Sequence, residues 1–173
     1  VRKVPKSKSQ MIEMARGWHD TEEEAVSNVE MALSRRKKAV KEIKGRDFPD
    51  WIFGNIRFDN GEVFQDLLTP VDDRLAEARN LDQKKQVVED YIELLQELWS
   101  YGIGDTIYNF TLNNGYDQRG RLVQLDFGEI VFSYERVREE VESQKWLEKR
   151  SYNHDLDDEL KPYFRRRMKE EIN

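Results

Sequence analysis

Residues 82–100 carry the clearest hydrophobic periodicity in the chain. Val87, Val88, Tyr91, Ile92, Leu94, Leu95, Leu98 and Trp99 recur at three- and four-residue spacing, and Glu89, Asp90, Glu93 and Glu97 fill the other positions. That pattern predicts an amphipathic core helix, ended by Gly102 and Gly104. A second long helix is predicted from Thr21 to near Gly45. Thr21 and Glu24 have the spacing of a capping box, and Val26, Val29, Leu33, Val40 and Ile43 keep one face apolar. Met11, Ile12, Met14, Ala15 and Trp18 predict a short helix ending near Gly17. Ahead of it, residues 1–10 read as a strand remnant or a loose basic tail.

Between the two long helices the period changes from helical to extended. Trp51–Phe58 and Glu62–Leu68 flank Asp59-Asn60-Gly61, whose Asn-Gly pair accepts the positive dihedrals of a tight hairpin turn. Pro70 is expected to end the second strand, with a short helix over Asp72–Ala78. Leu122, Val123 and Leu125 form a short strand after the turn residues Asp117–Gly120, and Ile130–Ser133 forms another. Asp105–Gly115 alternates polar and aromatic residues between glycines and reads as a loop. Helices are expected over Glu135–Lys149 and Asp155–Ile172, the latter kinked or starting late because of Pro162. The fold class is therefore α+β and helix-rich.

Composition narrows the functional classes. The chain has 173 residues, enough for one domain with a core; 37% are charged, against a usual level of about 25%. Net charge is -6 and the basic residues are scattered among acids, so no continuous phosphate-tracking surface for nucleic acid is indicated. Arg35–Lys38 and Arg165–Arg167 sit within acidic helical patterns and read as solvated faces. The absence of cysteine excludes disulfides, zinc thiolates and a cysteine nucleophile. No apolar run is long enough for a bilayer and no signal-like leader is present, so the expectation is a cytoplasmic protein without membrane partners.

The strand ending in Asp126 is where chemistry is expected. An aspartate closing a buried apolar run is costly unless it opens on a cleft, binds a cation or accepts backbone amides. Gly128, two residues on, removes a side chain where the backbone turns or a ligand comes close. Simple capping of the next turn is the competing reading.

A long acidic helix, a two-stranded piece ending in Phe64-Gln65-Asp66-Leu67, a short helix, an apolar helix, a polar loop, a strand and then Asp126-Phe127-Gly128 follow one another in order. Over residues 20–145 this resembles the protein-kinase-like fold, and it is more similar to small bacterial members, the aminoglycoside-phosphotransferase and lipopolysaccharide-kinase relatives, than to eukaryotic kinases. The resemblance implies a reduced nucleotide-side lobe over 1–68, made of the basic tail, long helix and hairpin, and a helical lobe over 69–173. It implies ATP and Mg2+ as cofactors, with Asp126 and Asn113 as metal ligands. Asn113 precedes Asp126 by the family's separation, and Asn114 is an equal occupant of that place. Asp105 in Gly102-Ile103-Gly104-Asp105 resembles the start of the catalytic loop, although Ile103 replaces its histidine and the spacing to Asn113 is longer than the family's. Tyr108 stands where that spacing would place the base.

On the nucleotide side the resemblance implies Lys3 as the strand lysine, Glu24 as its helix partner, with Glu23 and Glu30 as alternatives, and Gln65 at the connecting segment. No glycine-rich loop precedes the helix. The functional expectation is an ATP- and magnesium-dependent phosphotransferase, and the alternative is an inactive pseudokinase-like module whose charged helices dock a protein partner. His19 and His154 are too far apart for a metal pair, and Asp155–Glu159 reads as an acidic helix start.

Overall fold

A computed structural model describes residues 2–3, 6–60, 62–106, 108–149 and 151–171, with Arg2 and Lys3 described by backbone only. It is an α+β, helix-rich protein with three small antiparallel sheets among the described residues.

The first half is organised by capping. Ser7 accepts from the Gln10 amide and starts helix α1 (Lys8–Ala15), three residues earlier than the apolar pattern alone suggests. Thr21 and Glu24 form the expected capping box, and helix α2 (Glu22–Gly45) follows, with three glutamates in its first turn favouring the positive helix terminus. A 3-10 turn (Asp50–Phe53) occupies the place expected of the first hairpin strand. Gly54 and Asn55 both adopt left-handed backbone (φ 59° and 51°), which ends the turn and leaves only Arg57–Asp59 as strand β2. Strand β3 (Glu62–Phe64) pairs with it around left-handed Asn60 (φ 46°), as the turn residues predict. Strand β1 (Arg2–Lys3) pairs with the other edge of β3, so the sheet order is β1-β3-β2.

Pro70 does not close the hairpin. Thr69–Pro70 is itself strand β4, followed by helix α3 (Val71–Glu77) and helix α4 (Leu81–Ser100). Helix α4 is capped by Asn80 and buries Val87, Val88, Tyr91, Ile92, Leu94, Leu95 and Leu98, the face that the periodicity marks. The segment expected as one loop contains three elements: strand β5 (Ile103–Asp105), helix α5 (Phe110–Asn113) and strand β6 (Asn114–Tyr116). Strand β7 (Leu122–Gln124) pairs with β6, and strand β8 (Ile130–Phe132) pairs with β5. Helix α6 runs only over Tyr134–Glu142, because Gln144 turns left-handed (φ 50°) and a 3-10 turn, Lys145–Glu148, follows. After a π-helical turn (Ser151–Asp155), helix α7 covers Leu160–Glu171 and starts late enough to keep Pro162 in its first turn.

One hydrophobic cluster joins the two halves, running from Ala39, Ile52, Phe53 and Val63 to Leu160, Phe164 and Met168. At its centre, Phe110 stacks on Tyr91 (4.5 Å) and Phe164 (5.6 Å), and Trp146 meets Phe164 edge-on at 5.6 Å. Because Phe110 opens α5, this packing fixes the polar residues that follow it.

Candidate functional site: a buried Asp105–Asn113 pair beneath an exposed Asp126

Asp105 closes β5 and is 2% exposed. Its carboxylate accepts the Tyr108 amide at 3.1 Å and the Asn113 side-chain amide at 3.4 Å. Tyr108 adopts left-handed backbone (φ 47°), which folds the chain back so that its N–H points at Asp105. Thr106 ties the same loop to the segment beyond Asp126, donating to the Glu129 carbonyl from its amide (3.0 Å) and hydroxyl (2.7 Å).

Asn113 connects this loop to the Asp-Phe-Gly segment through its main chain as well. Its carbonyl accepts the amides of Leu125 (2.6 Å) and Asp126 (3.2 Å). The neighbouring Asn114 is fully buried and donates to the Phe110 carbonyl (3.1 Å), closing the α5 turn. The structure thus distinguishes the two asparagines: Asn113 reaches Asp105.

Asp126 lies just past β7 and is exposed. One carboxylate oxygen accepts the Gly128 amide at 2.8 Å, and a Cβ at position 128 would lie 3.2 Å from that oxygen, so the glycine lets the turn tighten. The second oxygen makes no hydrogen bond or ion pair among the described residues. Phe127 is buried against Phe58 of β2 (centroids 5.9 Å apart) and lies under the Arg36 guanidinium of α2 (5.8 Å). The aromatic anchors the triplet from below while the carboxylate stays in solvent.

Glu129 adds a second carboxylate. Burial, then the neighbouring Asp126 charge, raise its pKa above the ordinary 4.5, against the opposing pull of Arg35 and Lys149. Its charged form is disfavoured in the fold, so the wild type carries a cost at neutral pH that disappears once pH falls through the folded pKa toward 4.5. Glu129→Gln is therefore expected to raise the melting temperature at pH 7 and to lose that advantage near pH 4. Thermal unfolding at both pH values checks this, and a variant no more stable than wild type at pH 7 would contradict it.

A third acid lies deeper, where sequence reasoning did not look. Glu140 of α6 is 2% exposed; one oxygen takes the Arg136 Nε at 3.2 Å. The other oxygen and the buried Tyr108 hydroxyl both lack a hydrogen-bond partner among the described residues, and the Glu140 charge disfavours the Tyr108 phenolate. Burial first, and then Glu140, push the Tyr108 phenol well above its usual range. A Cβ on Gly104 would meet Val137 Cγ2 at 3.1 Å, so glycine there lets α6 seat against β5 and brings Glu140 to the loop. Its signal in the sequence was weak: among the many charges of α6, only its register with Val137 marked it as inward-facing.

The residues expected on the nucleotide side have their own surroundings. Lys3 stands opposite Val63 in β1, and its side chain lies outside the described residues. Glu24 is exposed and its carboxylate takes the Thr21 amide, while Glu30 pairs with Lys8 at 2.6 Å and Glu23 is exposed. Gln65 is 4% exposed and donates to the Phe53 carbonyl (3.1 Å), bracing the 3-10 turn. The contacts described link Asp105, Asn113 and Asp126, while the bonds given for Glu24 and Gln65 are local to their own segments.

Among the described residues no three Asp, Glu, His or Cys side chains converge on a point. A carboxylate and an amide oxygen nevertheless suit magnesium, which keeps several waters and is held through one or two carboxylates together with substrate phosphates. No helix among the described residues is long and apolar enough to cross a membrane. Comparison of the chain with protein-family models, curated proteins and solved structures finds no match.

Proposed function

We propose that the chain is a protein-kinase-like phosphotransferase domain, with Asp126 and the Asn113 side chain holding a magnesium ion that carries the phosphates of ATP. The supporting observation is the double role of Asn113. Its side chain reaches the carboxylate of Asp105, and its carbonyl holds the amides of Leu125 and Asp126, so one residue gathers a loop aspartate and an Asp-Phe-Gly aspartate. When bound, the metal would bridge phosphate oxygens and neutralise charge that develops on them. Asp105 orients the acceptor, and Phe127 holds the triplet against α2 and β2. The division into a reduced nucleotide-side lobe over 1–68 and a helical lobe over 69–173 belongs to the same reading.

One observation favours a second reading, a pseudokinase-like interaction module. Asp105 is 2% exposed and both its oxygens accept hydrogen bonds from within the loop, which suits an architectural acid better than a base open to substrate. Magnesium-dependent nucleotide binding separates the two. At a hundredfold excess over Kd, Mg-ATP is expected to stabilise the wild type by about 2.7 kcal/mol, a rise of roughly 5–11 °C for a chain of this size. Asp126→Asn should remove the magnesium-dependent part while its unliganded melting temperature stays close to wild type. No shift with millimolar Mg-ATP would overturn the phosphotransferase reading.

A further inference from the structure

Two depressions lie along the polar side of α4 and share Asp90, which takes the Tyr116 hydroxyl at 2.7 Å where they meet. The first, about 520 Å3, lies between α4 and α3 and ends at Asp90 and Tyr116. The second, about 340 Å3, begins at the same Asp90 and continues past Glu93 and Glu97, with Trp51 and Arg121 across from them. Gln83, Gln86, Asp90, Glu93 and Glu97 alternate three- and four-residue steps, so they line one face of the helix. From first to last the helix rises about 21 Å, which matches six or seven residues of extended chain at about 3.3 Å each.

The trough has an apolar base and an uncompensated acidic ledge. Val87, Leu94 and Leu122 are each buried beneath it. Glu93 is exposed and Glu97 half-buried, and neither makes an ion pair among the described residues. Of the cations along the trough, Arg79 lines only the α3 end, away from Glu93 and Glu97, and the other two are engaged. Arg121 pairs with Asp117 (2.8 Å) and stacks over Trp51 (5.2 Å), and Arg74 lies over the Tyr116 ring at 5.6 Å. The ledge therefore presents negative charge beside an aromatic wall, the complement of a basic segment.

We propose that this trough is a docking groove for an extended, basic segment of a partner protein, independent of any phosphotransferase activity. Geometry sets the spacing of the basic residues. Glu93 and Glu97 are one turn apart, about 6 Å along the axis, and alternate side chains of an extended strand are about 6.6 Å apart on the same side. The matching segment carries Lys or Arg at alternate positions, with an apolar residue on the same side to meet Leu94 and Leu122.

The test uses fluorescein-labelled peptides and anisotropy at low salt. Leu-Ser-Arg-Ser-Arg-Gly places both arginines on one side; Leu-Arg-Arg-Ser-Ser-Gly has the same composition with its arginines on opposite sides. The alternating peptide is expected to bind saturably, to bind more tightly than the adjacent-arginine peptide, and to weaken as salt rises. Glu93→Gln with Glu97→Gln should weaken it about tenfold or more. Absence of binding, equal binding of the two peptides, or an unchanged affinity in the double variant would each overturn the proposal.

Discussion

Phe110→Ala is expected to lower the stability of the protein by about 3–5 kcal/mol, the cost of removing a buried aromatic side chain and leaving its cavity. Phe110 is 1% exposed and forms a three-ring cluster with Tyr91 and Phe164, which also meet each other at 6.2 Å, so the change removes one member of a cluster drawn from α4, α5 and α7. That range already contains the lost aromatic pairs, each worth about 0.5–1.5 kcal/mol beyond the buried area. Domains are stable by only about 5–15 kcal/mol, so the variant should melt roughly 6–20 °C lower and sit near the threshold of folding at physiological temperature. Chemical denaturation measures it directly. A loss under about 1 kcal/mol would mean that the stack does not support the fold as described.

The second large effect is expected at Asn113. Asn113→Leu keeps the branched shape and the backbone carbonyl that holds Leu125 and Asp126, but takes away the amide that donates to Asp105. Depriving a buried carboxylate of a donor costs about 1–3 kcal/mol. The functional consequence is larger. The proposed metal loses an oxygen ligand while Asp126 stays in place, so the magnesium-dependent part of ATP affinity should fall about tenfold or more. Titration calorimetry with and without magnesium separates these effects. An unchanged magnesium dependence would remove Asn113 from the metal's ligands and leave it a structural bracket.

The elements legible in the sequence are those whose signals are long or local. Helices α2 and α4 run for twenty residues or more with sustained apolar spacing, and the α2 capping box is written in two residues. The Asn60 turn was legible because its dihedrals are a property of the residue type. The hairpin's length was not. Trp51, Ile52 and Phe53 look like a strand, but two successive left-handed residues, Gly54 and Asn55, turn that stretch into a 3-10 turn. Strands β5 and β6 and helix α5 each hold three or four residues, too few for any period to emerge, and their pairing partners β8, β7 and β4 are set by tertiary structure.

The candidate site divides in the same way. Asp126 and Asn113 were found through residue type and separation along the chain, and their main chains do meet. Asp105 was singled out despite a separation from Asn113 that fits no simple spacing. The left-handed Tyr108 and the short α5 take up the extra residues and bring the two side chains within 3.4 Å. Glu129 and Glu140 were missed because their roles depend on how β8 and α6 pack on β5, which no local pattern encodes. Lys3, Glu24 and Gln65 follow from the resemblance and carry no local signal of their own; Glu24 serves its own helix cap and Gln65 braces a turn.

The central claim is that a nucleotide-bound divalent cation sits at Asp126 beside Asn113. Manganese in place of magnesium broadens the NMR signals of nearby amides, so a titration of the isotope-labelled protein with Mn2+ and ATP locates the ion. Selective, ATP-dependent broadening of Asn113, Leu125, Asp126 and Gly128, lost in Asp126→Asn, is the result predicted. Broadening spread over the acidic surface, or unchanged in Asp126→Asn, would contradict it.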